Sequence, residues 1–355
     1  MRAVLTRLIV ILSMLAAVAG LYLSWAWNHS LTPGTETYEV KPGMTLRAFA
    51  RELSRRGILS ERHSFVWLAY LSGRSRDLKS GEYLFRNGMT ARELLDQVVA
   101  GRVIEYPLVV LEGWTFRQFS QALEAATKLT HTLAGLSPRV VMERLGHAGE
   151  HPEGKFFPDT YYYTTGETDL MILAKAYDKM QNLLQQEWQI REGNLPLKDP
   201  YEALILASIV EKETGRADER HLIAGVFINR LRRGMRLQTD PTVIYGMGKS
   251  YAGNIRLKDL RRDTPYNTYI RRGLPPTPVA LPGKESLQAV LHPEASDALF
   301  FVSRGDGSHE FSATLAEHNK AVIKYQLKGK PRAPAASSAP PSQSLKETIN
   351  MMTTR

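Results

Sequence analysis

Cysteine is absent from the 355 residues. That absence excludes a disulfide scaffold, a thiol nucleophile, a cysteine-ligated metal and a lipidated N-terminal cysteine. It is neutral about compartment. No GxSxG, P-loop or HExxH stretch occurs either, and the nine histidines, His292, His309 and His318 among them, fall at no metal-ligand spacing. The pattern calls for no cofactor and no metal. A Lys/Arg stripe interleaved with aromatics is also missing. The net charge of +10 suits anionic lipid, a polyanionic wall or nucleic acid, and nucleic acid ranks last of the three.

What is present begins with an uncharged run from Leu8 to Trp27, behind Arg2 and Arg7 and ending in the pair Trp25 and Trp27. About 20 apolar residues span a bilayer as a helix, and tryptophan favours its interface. Basic residues stay cytoplasmic, so the bulk of the chain is expected outside. Ala17-Val18-Ala19 offers a rival cleavage site for a signal peptide, but the apolar character runs on beyond it, which favours a retained anchor. The hydrophobic content of 43% is ordinary for a folded chain of two or three domains.

Three segments echo one another. Gly43-Met44-Thr45-Leu46-Arg47-Ala48-Phe49, Gly88-Met89-Thr90-Ala91-Arg92-Glu93-Leu94 and Gly113-Trp114-Thr115-Phe116-Arg117-Gln118-Phe119 each set a glycine turn before a threonine able to cap a helix. A strand-like run precedes each, giving a strand–turn–helix unit at uneven spacing. The stretch from Tyr38 to Leu46 resembles the opening of a LysM-type glycan-binding module. A purely structural subdomain with the same strand–helix logic remains the alternative. The expected organisation is a cytoplasmic end and transmembrane helix over 1–28, a polar linker over 29–37, a LysM-like subdomain over 38–105, a catalytic domain over 106–327 and a Pro/Ala/Ser-rich disordered tail over 328–355.

Tyr201 to Thr214 is apolar nearly all round, as a fully buried helix reads. At its end stand Glu211 and Glu213. A carboxylate continuing an apolar helix is costly to desolvate, and a raised pKa is the natural response. An acid still protonated near neutral pH suits general-acid cleavage of a glycosidic bond. The competing reading is a pair of solvated residues at a fraying helix end, and spacing favours Glu213 only slightly. A second helix runs from Leu222 to Arg233. Asp240, ahead of Pro241, reads as a cap, and Asp159 could cap or orient. Tyr245, Tyr266, Asn267, Thr268 and Tyr269 mix flat rings with amide and hydroxyl groups, as a sugar-binding surface does. The proline-rich stretch from Leu274 to Gly283 is an extended loop, ordered or mobile. Leu299 to Phe311 reads as a hairpin, and a last helix covers about Leu315 to Gln326.

The run Glu211-Lys212-Glu213-Thr214, then Val226 to Leu231 and Leu237-Gln238-Thr239-Asp240-Pro241-Thr242-Val243-Ile244-Tyr245-Gly246, is similar to the YceG-like family of membrane-bound endolytic murein transglycosylases. The likeness extends through Tyr266-Asn267-Thr268-Tyr269, Gly273-Leu274-Pro275-Pro276, His318-Asn319 and, upstream, Phe157-Pro158-Asp159-Thr160-Tyr161. It implies an α+β protein with an N-terminal transmembrane helix, a small LysM-like α/β subdomain and a larger, mainly helical catalytic domain. It implies lytic cleavage of the MurNAc-β-1,4-GlcNAc bond of nascent peptidoglycan strands, leaving a 1,6-anhydroMurNAc end, with Glu213 as the catalytic residue. Gln238, Thr239, Asp240, Tyr245, Tyr266, Asn267, Thr268 and Tyr269 become the expected substrate contacts. Expected partners are peptidoglycan strands, the cytoplasmic (inner) membrane and penicillin-binding proteins, with the catalytic domain extracytoplasmic. A non-catalytic wall-binding adaptor and a water-using hydrolase are the alternatives.

Overall fold

The computed structural model describes residues 2–34 and 37–327; the expected tail lies outside them. The chain forms two compact units, one built from residues 1–107, 127–130 and 162–168, the other from 108–126, 131–161 and 169 onward. Among the described residues helices dominate, and the strands pair in twos.

The first unit opens with α1 (Arg2–Asn28), which holds an 18-residue stretch of mean hydropathy 2.3 that is not buried, while Ala26 in its last turn is. At 1.5 Å per residue the helix is about 40 Å long, enough to cross a bilayer. The segment after it, expected as a polar linker, is tied to the unit instead. The Leu31 N–H donates to the Met89 carbonyl at 2.7 Å, the Gly88 N–H donates to the Leu31 carbonyl at 2.9 Å, and the Leu31 side chain is buried. Ser30 also bridges Thr90, and the Gly34 N–H donates to Asn87 Oδ1 at 2.8 Å.

Next come β1 (Thr37–Val40), α2 (Leu46–Arg55), α3 (Arg62–Leu71), β2 (Gly81–Leu84) and α4 (Ala91–Ala100). Strands β1 and β2 pair antiparallel, with Tyr38 opposite Tyr83. Tyr38, Phe49, Phe65, Tyr83, Phe85 and Leu94 pack between ribbon and helices. The repeated motif has a local cause. Gly43, Gly88 and Gly113 hold φ of 76°, 87° and 74°, a region that costs glycine nothing. Two residues on, Thr45, Thr90 and Thr115 cap their helices, the last two within full capping boxes.

Glu82 of β2 is buried yet ionised. It accepts from Lys128 Nζ at 2.9 Å, Thr165 Oγ1 at 2.7 Å and Tyr106 Oη at 2.9 Å. Burial pushes its carboxyl up, but the Lys128, Thr165, Tyr106 and Thr37 hydrogen bonds outweigh that and hold it at about 2. A depressed carboxylate contributes stability above its unfolded value of 4.5, lost as pH falls from there through about 2. Glu82→Gln is therefore expected to weaken this unit by about 1.5–3 kcal/mol at pH 7. Hydrogen exchange of the β1 and β2 amides measures it; unchanged protection would refute the role.

The second unit carries α5 (Phe116–Ala125), which follows β3 (Glu105–Val109). After it come α6 (Pro138–Arg144), β4 (Thr160–Thr164), α7 (Asp169–Gln189), α8 (Pro200–Glu213) and α9 (Ala217–Arg232). Strand β4 pairs with β3, and part of each strand belongs to the first unit. Beyond α9 lie α10 (Asp240–Met247), α11 (Leu257–Arg261), α12 (Lys284–Leu291), the antiparallel hairpin β5 (Phe300–Ser303) with β6 (His309–Ser312), and α13 (Leu315–Tyr325). Asp199 caps α8 and Pro200 sets its first turn. Ala203 to Val210 are all buried, because α7, α9, α10 and α12 surround α8.

The proline-rich stretch is an ordered strap. Val279, Ala280 and Leu281 are buried, Val279 N–H donates to Ser208 Oγ at 2.9 Å, and Leu281 exchanges backbone hydrogen bonds with Gly113 and Trp114. Gly154, at φ 77°, lies so close to Pro278 that no side chain fits there.

Candidate active site

Helix α8 delivers its last residue, Glu213, to the site and stops because Thr214 turns extended (φ −146°, ψ 137°). Glu213 keeps some exposed surface, but its carboxyl is enclosed and accepts from Thr239 Oγ1. Burial pushes this carboxyl up to about 7; the Thr239 bond and the Arg230 charge pull it down, and the nearby Asp240 pushes it further up. Glu211, two residues back, points elsewhere. It accepts from the Gly283 N–H at 3.0 Å and from Ser286 Oγ at 2.7 Å, and so binds the first turn of α12. One helix end thus carries a poised acid and a structural clamp.

The segment facing Glu213 is shaped by Arg230, a buried side chain of α9. Its Nε donates to the Leu299 carbonyl at 2.6 Å and its Nη1 to the Leu237 carbonyl at 2.7 Å. The guanidinium fork thereby fixes the approach to Gln238, which sits at φ 52°. A non-glycine residue there costs about 1–3 kcal/mol and persists only where its surroundings impose it. Thr239 follows at the N-cap position of α10, with its hydroxyl given to Glu213 and not to the helix, so the expectation that Asp240 is the cap is corrected. Asp240 is the first residue of α10 and accepts from Tyr269 Oη at 2.6 Å. Burial raises the Asp240 carboxyl, partly offset by that tyrosine bond.

The structure gives the expected sugar contacts unequal places. Gln238 is exposed, and Asp240, Tyr245, Tyr266 and Tyr269 keep part of their surface open. Asn267 and Thr268 are buried and their polar atoms are occupied. Asn267 Nδ2 donates to the carbonyls of Asp259, Leu260 and Arg262, and Thr268 Oγ1 accepts from the Thr239 N–H at 3.1 Å. They build the wall that holds Thr239. Asp159 lies apart, paired with Lys179.

Sequence reasoning missed Glu153. This buried carboxylate accepts from the Phe116 N–H at 2.8 Å, the first amide of α5, and from the Tyr245 phenol. Burial pushes it up to about 7, against the pull of those donors. Tyr245 in turn lies 4.9 Å from the Tyr266 ring, and Tyr266 Oη and Thr277 Oγ1 are 2.9 Å apart. A single Glu between Pro152 and Gly154 has no periodic signal to mark it. A polar cavity of about 520 Å³ lined by Gly225, Asn229, Arg232 and residues 293–297 contains none of these groups.

Comparison with known proteins gives consistent matches. The profile of the YceG-like family matches residues 38–324. An endolytic murein transglycosylase of Bacillus subtilis is 31% identical over 310 residues, 82% of this chain and 85% of that protein. One of Streptococcus pneumoniae is 28% identical over 327 residues, 81% of this chain but 58% of that longer protein. A crystal structure of a yceG-like protein from Listeria monocytogenes superposes with a TM-score of 0.51 at 28% identity, covering 81% of this chain and 99% of that one.

Proposed function

The chain belongs to the YceG-like family, and we propose on that footing that it is an endolytic murein transglycosylase. The observation that carries the reading is Glu213, an enclosed carboxyl held at about 7 at the end of a buried helix. Protonated, it donates to the leaving GlcNAc oxygen as the glycosidic C–O bond breaks. As a carboxylate it takes the proton of the MurNAc 6-hydroxyl, whose oxygen closes on the anomeric carbon. No water is consumed, and one carboxyl serves both steps. Gln238, Asp240, Tyr245, Tyr266 and Tyr269 are the proposed sugar contacts, with Thr239, Asn267 and Thr268 holding the loop behind them.

The nearness of Asp240 to Glu213 favours a second reading, hydrolysis with Asp240 as the other carboxylate. Its bond to Tyr269 argues for a supporting role. Mass spectrometry of glycan fragments separates the two. Ends lighter by one water are expected; reducing ends would establish a hydrolase, and intact strands a binding protein.

Among the described residues α1 is the one helix long and apolar enough to cross a membrane, which fits a single-pass anchor. Arg2 and Arg7 support a cytoplasmic N-terminus, with the chain beyond α1 outside the inner membrane. The β1–α2–α3–β2 order is compatible with a LysM-like module over 38–105, which would hold strands for the catalytic domain over 106–327. Coupling to strand synthesis by penicillin-binding proteins belongs to the same reading.

A further inference from the structure

The last turn of α1 is built into the first unit. Trp27 Nε1–H donates to the Ser64 carbonyl of α3 at 2.9 Å, and the Arg92 guanidinium lies 6.0 Å from the Trp27 ring centroid. With Leu31 docked only a few residues later, no slack separates the anchor from the unit. Whatever stands beside this turn of α1 therefore stands at the lipid–water boundary. Helix α3 does.

One face of α3 packs inward through Phe65, Leu68 and Ala69. The other leaves Trp67 59%, Tyr70 49% and Leu71 65% exposed. Among the described residues of this unit outside α1, Tyr162 is the one further large apolar side chain so exposed. Ser64, Trp67 and Leu71 stand three and seven residues apart, which is one stripe of a helix. The first of them meets the anchor, and the stripe continues bare from there.

Trp and Tyr, with an apolar body and a polar tip, are the residues that settle in the headgroup region. Arg62 and Arg76 flank the stripe, each next in sequence to an acidic residue, Glu61 and Asp77, so the flanks carry no net charge and the apolar surface carries the attraction. We infer that the Trp67–Tyr70–Leu71 face of α3 lies in the interface of the bilayer that α1 crosses, giving the first unit a second, peripheral membrane contact. This rests on α1 being a membrane span. Two attachment points fix the tilt of the unit against the bilayer, where a lone helix would leave it free to rock.

The chain has no cysteine, so single cysteines carry a fluorescent label unambiguously. The full chain is reconstituted in phosphatidylethanolamine–phosphatidylglycerol vesicles containing brominated acyl chains. Labels are placed at Val18→Cys in α1, Leu71→Cys in α3 and Arg47→Cys on the exposed side of α2. Quenching at position 71 is expected to exceed that at 47 several-fold, with 18 quenched as well. Quenching at 18 but not 71 overturns the α3 contact, leaves the anchor standing and points to a protein or glycan partner for the stripe. No quenching at 18 overturns the span, and the inference with it.

Discussion

Glu213→Gln is expected to abolish strand cleavage, by about a hundred- to ten-thousand-fold, in a protein that remains folded. Glutamine keeps the shape and can still accept the Thr239 hydroxyl, but it has no proton to give the leaving oxygen. The parent should lose activity as pH rises above about 7, where the carboxyl surrenders that proton. The same shift has a thermodynamic signature. A carboxyl whose folded value is about 7 and whose ordinary value is 4.5 binds its proton more tightly in the folded state. Its contribution is fully present below 4.5 and is lost as pH rises through about 7, on the order of 3 kcal/mol in all. Glu213→Gln should therefore melt above the parent at pH 8 and close to it at pH 4. Glu153 is shifted in the same direction but is common to both proteins, so the difference isolates Glu213. Glu211→Gln is the control. It loosens the clamp on Gly283 and Ser286 and should spare most of the chemistry. Cleavage surviving in the Glu213 variant and vanishing in the Glu211 variant would transfer the acid role to Glu211.

Arg230→Met should unfold the catalytic unit about 10 °C early, from a loss of about 3–5 kcal/mol. The methionine fills the space but leaves the Leu237 and Leu299 carbonyls without their donor in a dry interior. Gln238 would then relax out of the left-handed region and carry Thr239 away from Glu213. Arg230→Lys should rescue little, because one ammonium cannot reproduce a fork aimed at two separate carbonyls. Circular dichroism melts paired with cleavage assays test this. A melting point within a degree or two of the parent would show that the fork is dispensable.

The readings that succeeded from sequence were local in cause. The Gly-x-Thr units at 43, 88 and 113 formed capped helices because turn and cap are settled within a few residues. The burial of α8 was legible because it is apolar on every side. The division of labour between Glu211 and Glu213 was not, since it depends on Gly283, Ser286 and Thr239 arriving from elsewhere in the chain. Spacing pointed to Asp240 as a cap because Asp before Pro is common at helix starts; the neighbouring Thr239 took that place. Asn267 and Thr268 read as sugar contacts by composition, whereas their burial and occupied polar atoms come from partners that arrive from elsewhere in the fold. The proline strap could have been mobile until Ser208 and Trp114 supplied its hydrogen bonds.

The clamp between Glu211 and the start of α12 also bears on biosynthesis. A chain emerging N-terminus first completes β1 to α4 from contacts close in sequence, so the core of this unit can form before Lys128 and Thr165 arrive to pair with Glu82. The surroundings of Glu211 and Glu213 are different. At the moment Tyr245 has emerged every acid discussed here is already present, yet the strap and α12, 72 and 75 residues beyond Glu211 at their contact points, are not. Helix α8 would at that stage have a bare apolar flank and no partner for Glu211. The clamp at the end of α8 can thus close only once the chain has been made through Ser286, so the last turn of this helix is among the late-settling parts of the second unit.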